Sequence, residues 1–295
     1  MGTANHACRF TLKADHFDLD LLVHSHGWIR LVPFSWDDEQ KILSRHETVD
    51  GKIVYLSVKQ VSSGASVTCT SKSILRPSDR KILRRRASYM LGLDIDIDPF
   101  VKLARSLNRR VHRFAHRGGA RILRSSTLYE DVVKTLFTTN ASWAFTKQMC
   151  QRLVSECASS YGETDYGTVF PTPEMVSPLD LSTLTKKCRL GYRAEYLQNV
   201  TTAFIDGGDS LERGFPAEVV KRLSEVKGLG PYCVNHIAML LGEYSQIPVD
   251  SEVRSYCKEI GLSHKEEMIL EHYYPWHPYE FLAFRIDRRL GPGHD

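Results

Sequence analysis

The 295-residue chain has no apolar run approaching the roughly 20 residues that a membrane-spanning helix needs. Its first eleven residues also lack the apolar core of a secretory leader. No membrane partner is expected. There is no internal repeat and no low-complexity tract. No two cysteines form a CxxC pair. The seven (Cys8, Cys69, Cys150, Cys157, Cys188, Cys233 and Cys257) are scattered, and an odd count at irregular spacing fits free thiols in a reducing compartment, cytoplasm with nucleoid or nucleus. Nor is charge lopsided: a formal net charge of +4 does not by itself indicate a polyanionic partner. What remains is 42% hydrophobic and 25% charged residues, a globular balance at a length sufficient for a sizeable core in one or two domains.

The distribution of charge carries more than its sum. Lys81, Arg84, Arg85 and Arg86 form one basic cluster, and Arg105, Arg109, Arg110, Arg113, Arg117, Arg121 and Arg124 a longer stretch. Either is a solvated helix face or a phosphate-attracting surface. His112 and His116 share one helix face, but no Glu follows His112 and arginines flank both, which argues against a zinc site. His24 and His26 flank Ser25, and two ligands do not make a zinc site.

Residues from about 10 to 70 read as β-rich. Phe17–Val23 and Lys52–Val58 have strand-like composition, Val49-Asp50-Gly51-Lys52 supplies an Asp-Gly hairpin turn, and Ser66–Thr70 reads as a further strand. From about Ser78 the pattern turns helical: Asp79–Leu91 with Ser78 as N-cap, Asp98 to about Ala115, Thr127–Thr138, Phe145–Ser159, Ser177–Thr185, Ala194–Ile205, Pro216–Val226, Pro231–Leu241, Ser251–Ile260 and Tyr279–Arg289. Residues 164–173 read as a polar loop. The fold expected is α+β: an N-terminal antiparallel β-domain over residues 1–77, then a two-lobed all-helical domain with a helix-hairpin-helix over residues 78–295.

The most informative stretch is Val226-Lys227-Gly228-Leu229-Gly230, followed by an apolar helix from Pro231 and then by Pro248-Val249-Asp250. Two glycines permit a tight turn that exposes backbone N–H groups, and Pro suits the first turn of a helix whose positive end then points outward. Together these make an anion site suited to a phosphate. Asp250 precedes Ser251-Glu252-Val253, so it reads as a helix N-cap, as a catalytic carboxylate, or as both.

Leu223 through Glu252 resembles the helix-hairpin-helix (HhH-GPD) DNA glycosylases. The layout of the chain is similar to that of 8-oxoguanine glycosylase and bacterial 3-methyladenine glycosylase II. The resemblance implies a partner, double-stranded DNA carrying a damaged or modified base, and a chain acting as a monomer. It implies that Asp250 is the carboxylate of base excision, and that Gly228, Leu229 and Gly230 grip phosphates beside the flipped nucleotide. Bifunctional members carry a lysine where this chain has Tyr232, and a phenol cannot form a Schiff base; the resemblance therefore implies a monofunctional hydrolase. His236 matches a residue that contacts the flipped base, with Asn235 a weaker candidate. Asn140 matches a residue that fills the gap left by that base, Tyr192 a wedge, and Arg193 a reader of the partner base. Trp276, with Tyr279, Phe281 and Phe284, lies where relatives sandwich the base, while Gly27 and Trp28 reach toward the cleft from the β-domain. Main-chain carbonyls of Ser224, Val226 and Leu229 match those that hold K+ or Na+. No iron–sulfur cluster is implied, because only Cys257 follows Asp250.

Each of these residues also has a plain reading: cap, turn or core. Glu252 stands where 8-oxoguanine glycosylase has a phosphate-contacting histidine, so the excised base stays open. Two alternatives stand beside hydrolysis: a non-catalytic binder of damaged DNA, and a glycosylase/lyase using a displaced lysine.

Overall fold

The computed structural model describes residues 6–161 and 169–292. Residues 164–168 of the expected polar loop at 164–173 lie outside the described residues.

Five strands, β1 (His6–Lys13), β2 (Ser35–Asp37), β3 (Ile42–Val49), β4 (Lys52–Val61) and β5 (Gly64–Ser71), form one antiparallel sheet in the order β1-β5-β4-β3-β2. The β3–β4 hairpin pairs Val49 with Lys52 and turns through Asp50 and Gly51, both at positive φ (49° and 71°), as an Asp-Gly turn requires. Alternate residues Val54, Leu56 and Val58 of β4 and Ala65, Val67 and Cys69 of β5 are buried, so one face of the sheet is packed.

Phe17–Val23 is not a strand. The Asp18 carboxylate accepts the Leu21 N–H at 2.9 Å and caps a short helix, α1 (Leu19–Val23), whose Leu19, Leu22 and Val23 are buried at helical spacing.

Helices make up the rest: α2 (Pro77–Met90), α3 (Asp98–Leu107), α4 (Arg109–Phe114), α5 (Leu128–Thr138), α6 (Trp143–Tyr161), α7 (Pro173–Val176), α8 (Leu181–Lys186), α9 (Arg193–Gly207), α10 (Asp209–Glu212), α11 (Pro216–Ser224), α12 (Pro231–Leu240), α13 (Ser251–Glu259), α14 (Glu266–Tyr273) and α15 (Glu280–Leu290). The fold is α+β, as expected. Two helix starts differ from the sequence reading for a local reason. Asp79, not Ser78, closes the first turn of α2 by accepting the Arg76 N–H (2.7 Å). Asn108 interrupts the helix expected to run on to Ala115, because its side chain accepts the N–H groups of Arg110 and Val111 (2.9 Å each) and starts α4.

Three of the seven arginines in the longer basic stretch, Arg110, Arg121 and Arg124, form neither a solvated face nor a phosphate surface, while Arg105, Arg109, Arg113 and Arg117 are exposed. Arg121 is buried and donates to the carbonyls of Asp15, His16, Gly92 and Ile95. Arg124, also buried, donates to Leu240 O at the end of α12, and Arg110 to Leu290 O and Gly291 O at the end of α15. Arginines thus satisfy orphan carbonyls and complement the negative ends of two helix dipoles. The sheet is joined to α5 by a buried charge network: Arg45 pairs with Glu47 (2.5 Å) and Glu130 (2.6 Å), and Glu130 with Lys134 (2.6 Å). Buried side chains of sheet and helices form one continuous apolar cluster.

Candidate active site

The hairpin joins α11 to α12. Its turn is closed by Val226 N–H to Leu223 O and Leu229 N–H to Val226 O, both at 3.1 Å. Leu223 and Leu229 are buried and anchor the two sides. Gly228 sits at φ +106° with its α-carbon against Tyr196, where a side chain would collide with the ring; both facts require glycine. Gly230, at φ −74°, precedes Pro231 as the N-cap of α12, with open space where a side chain would stand. The N–H groups of Gly228 and Gly230 meet no backbone acceptor among the described residues. Two free donors at the positive end of a ten-residue helix make an anion cradle. On the turn's carbonyl side, Val226 accepts one backbone N–H, while Ser224 and Leu229 accept none among the described residues. These hard oxygens suit a K+ or Na+ ion in donor chemistry.

Asp250 starts α13. One carboxylate oxygen, Oδ1, accepts the N–H groups of Glu252 and Val253, each at 2.9 Å, so the cap reading holds. Oδ2 accepts no hydrogen bond among the described residues, leaving half of the carboxylate for chemistry. Tyr232, in the first turn of α12, is 44% exposed, and its hydroxyl lies 3.3 Å from Thr138 Oγ1 at the end of α5. Burial raises its pKa, with the nearby charges of Asp250 and Glu252 adding a little. The phenol therefore stays protonated at neutral pH.

One turn along α12, the His236 ring stacks on Tyr232 (centroids 6.3 Å apart, 22° between planes). It continues onto Trp28 at 5.1 Å, and Trp28 onto His26 at 4.7 Å. The Trp28 indole N–H is fixed by Asp131 (2.7 Å), and His26 Nε2 donates to Leu123 O (2.5 Å). Gly27 lets this segment approach α6: a side chain there would overlap the Trp143 ring. Burial pushes His236 down to about 3, with the Arg285 charge adding to it, and pushes His26 well below its ordinary value. Both imidazoles are neutral at pH 7, and His236 Nε2 is buried without a hydrogen-bond partner. Arg285, on α15, donates to Ser25 O (3.0 Å), and burial lowers its guanidinium to about 10, still a cation.

Next to the hairpin lies a second group. Asn140 is at φ +45°, and its amide donates to the Tyr192 hydroxyl at 3.4 Å. Tyr192 is 49% exposed and packs edge-on against Tyr196, the residue that meets Gly228. The hairpin and the loop that carries Tyr192 are thereby tied through one ring. Arg193 does not fit the expected role of partner-base reader. It is 4% exposed, lies under the Tyr192 ring, and donates to the carbonyls of Thr139 and Asn140, so it braces the loop that presents Asn140. Nor does Trp276 join the aromatic column: its ring packs at 5.9 Å from Phe100, an interior contact. Phe281 and Phe284 are core residues. Asn235 makes no side-chain bond among those described. Sequence reasoning placed Trp28 only as a cleft neighbour, weighed His26 only as a zinc ligand, and did not mark Arg285. Gly27 beside Trp28 was the one local signal, since a glycine that admits a ring leaves no periodicity behind it.

Helix-hairpin-helix, free backbone donors and a half-engaged carboxylate at the next helix start define the class: a helix-hairpin-helix protein with an acidic site. Residues 133–277 match the family described as HhH-GPD superfamily base excision DNA repair protein. Among solved structures, the chain is similar to 3-methyladenine DNA-glycosylase from Archaeoglobus fulgidus (17% identity, TM-score 0.72, covering 97% of this chain and 100% of that one). It is also similar to Clostridium acetobutylicum 8-oxoguanine glycosylase/lyase (16%, TM-score 0.62, 93% of each) and to MBOgg1 in complex with a low-affinity DNA ligand (17%, TM-score 0.64, 99% and 98%). At these identities the likeness is one of fold. No curated protein sequence matches the chain.

Proposed function

We propose that the protein is a monofunctional DNA glycosylase, which flips a damaged or modified base out of duplex DNA and hydrolyses its N-glycosidic bond as a monomer. The observation that carries this reading is Asp250, whose Oδ1 alone is engaged in capping α13 and whose Oδ2 accepts no hydrogen bond among the described residues, on the helix that follows the hairpin and its aromatic column. As the bond to the base breaks, positive charge builds on the sugar, and a fixed carboxylate stabilises it and accepts a proton from the attacking water. A Schiff base would need an amine, and no lysine pairs with Asp250 or Tyr232 among the described residues. The Gly228–Gly230 turn holds the backbone, assisted by K+ or Na+ on the carbonyls of Ser224, Val226 and Leu229, while Asn140 and Tyr192 fill the vacated stack. Base extrusion costs a few kcal/mol, and such a plug offsets part of it. Lesion-containing duplexes incubated with the enzyme should release free base and leave an intact abasic strand. Borohydride should trap no covalent adduct on abasic DNA; an adduct would establish the lyase alternative, and binding without base release from any duplex would establish the non-catalytic one.

A further inference from the structure

Arg285 is the least explained charge in the molecule. Half-buried on α15, it reaches the Ser25 carbonyl beside the aromatic column; desolvation lowers its pKa to about 10, and it forms no salt bridge with any described carboxylate. A buried cation without a paired anion is unfavourable unless something else meets it. Its one hydrogen bond goes to Ser25 O, on the segment that carries His26 and Trp28. The groups around it meet its charge only in part: Glu252 and Tyr244 favour the guanidinium, but Glu252 pairs with Arg288, and Arg288 and Arg289 oppose it; His26 and His236 are neutral, and the Asp131 carboxylate is taken by Trp28, Ser125 and Tyr89. The column therefore combines one fixed positive charge, two neutral imidazoles and, at His236 Nε2, one buried nitrogen awaiting a partner.

Resting on the glycosylase reading above, we propose that this site selects bases that are neutral in DNA and disfavours N-alkylated bases carrying a formal positive charge, with Arg285 as the residue that sets the preference. The chemistry follows from where the electrons go. Heterolysis of the bond between the sugar and a neutral base leaves the electron pair on the base nitrogen and an oxocarbenium on the sugar. Water adds to that carbon, its proton passes by way of Asp250 to solvent, and the base anion takes up one proton. A neutral base thus becomes anionic as it leaves, and a nearby guanidinium stabilises that charge in the transition state. Its neutral histidines cannot supply the proton at pH 7, so the fixed cation is the group that assists departure. A cationic base meets repulsion from Arg285 on entry and leaves as a neutral molecule, gaining nothing from it.

The test is single-turnover base release from duplexes of one sequence carrying hypoxanthine, uracil or 8-oxoguanine (neutral) or 7-methylguanine or 3-methyladenine (cationic), each rate divided by its uncatalysed rate. The wild-type acceleration should be at least about 100-fold larger for some neutral base than for either cationic one. Arg285→Met should lower the neutral-base acceleration by about 100-fold and leave the cationic ones unchanged or higher, and Arg285→Lys should retain the preference. A wild-type preference for the cationic bases overturns the proposal, whatever the variants do. An equal loss on both classes in Arg285→Met also overturns it, since that is what lost support for Ser25 would cause. Release of no base from any duplex strikes instead at the glycosylase reading, and the selectivity falls with it.

Discussion

Asp250 uses its two oxygens differently, and this allows the structural role to be separated from the chemical one. Oδ1 caps α13 through two N–H groups, and an asparagine caps as well as an aspartate. Asp250→Asn should therefore keep the melting temperature of the parent while lowering base release by about 10^2- to 10^4-fold. Asp250→Ala should lose the cap too, at a cost of about 1 kcal/mol in urea unfolding. If Asp250→Asn releases base at the parental rate, hydrolysis assisted by this carboxylate is wrong. Asp250, Tyr232 and His236 were all legible in the sequence because one helix and its following turn fix their spacing. Arg285 and Trp28 were not, because the chain brings them to the column from opposite ends: residue 28 through the loop after α1, residue 285 through the last helix. Arg193 was legible as a position and not as a role, since its burial under Tyr192 depends on how the loops before α6 and α9 meet.

At the scale of the element, the hairpin makes two glycines unequal. Gly228 has a positive φ and no room beside Tyr196, whereas Gly230 has an ordinary φ and open space. Gly228→Ala should cost about 1–3 kcal/mol in equilibrium unfolding, from backbone strain and the displaced ring. Gly230→Ala should stay within about 0.5 kcal/mol of the parent. Both should weaken binding to abasic duplex DNA, Gly228→Ala by distorting the cradle and Gly230→Ala by placing a methyl group where a phosphate approaches. Normal DNA affinity in Gly230→Ala would move the phosphate away from this turn. Helices α11, α12 and α13 were readable because proline and cap residues mark their starts, Pro216, Pro231 and Asp250, whereas α10 and α14 were not expected. Phe17–Val23 was misread as a strand because a five-residue helix is too short to display a period, and only the Asp18 cap gives it away.

Across the whole molecule, a small set of titratable groups is held inside, and acid should expose them. His26 and His236 are held neutral by burial, so their folded pKa values lie below the ordinary 6.5, at about 3 for His236. Below pH 6.5 the unfolded chain takes up protons that the folded chain refuses, so stability falls with pH, by up to about 1.4 kcal/mol per unit for each histidine. Burial would raise Glu130, but Arg45 and Lys134 outweigh it and hold that carboxyl below its ordinary value. Its contribution is present above the unfolded carboxylate value and is lost only as pH falls below about 4.5. The two windows are thus separable. Urea unfolding between pH 6.5 and 5 should show a loss of stability in the parent that is smaller in the His26→Gln/His236→Gln double variant, and both proteins should then steepen below pH 4.5 as Glu130 is protonated. Equal slopes between pH 6.5 and 5 would mean that the two rings accept protons in the folded state. The column would then carry positive charge at both histidines as well as at Arg285, and would become still less hospitable to a cationic base as pH falls.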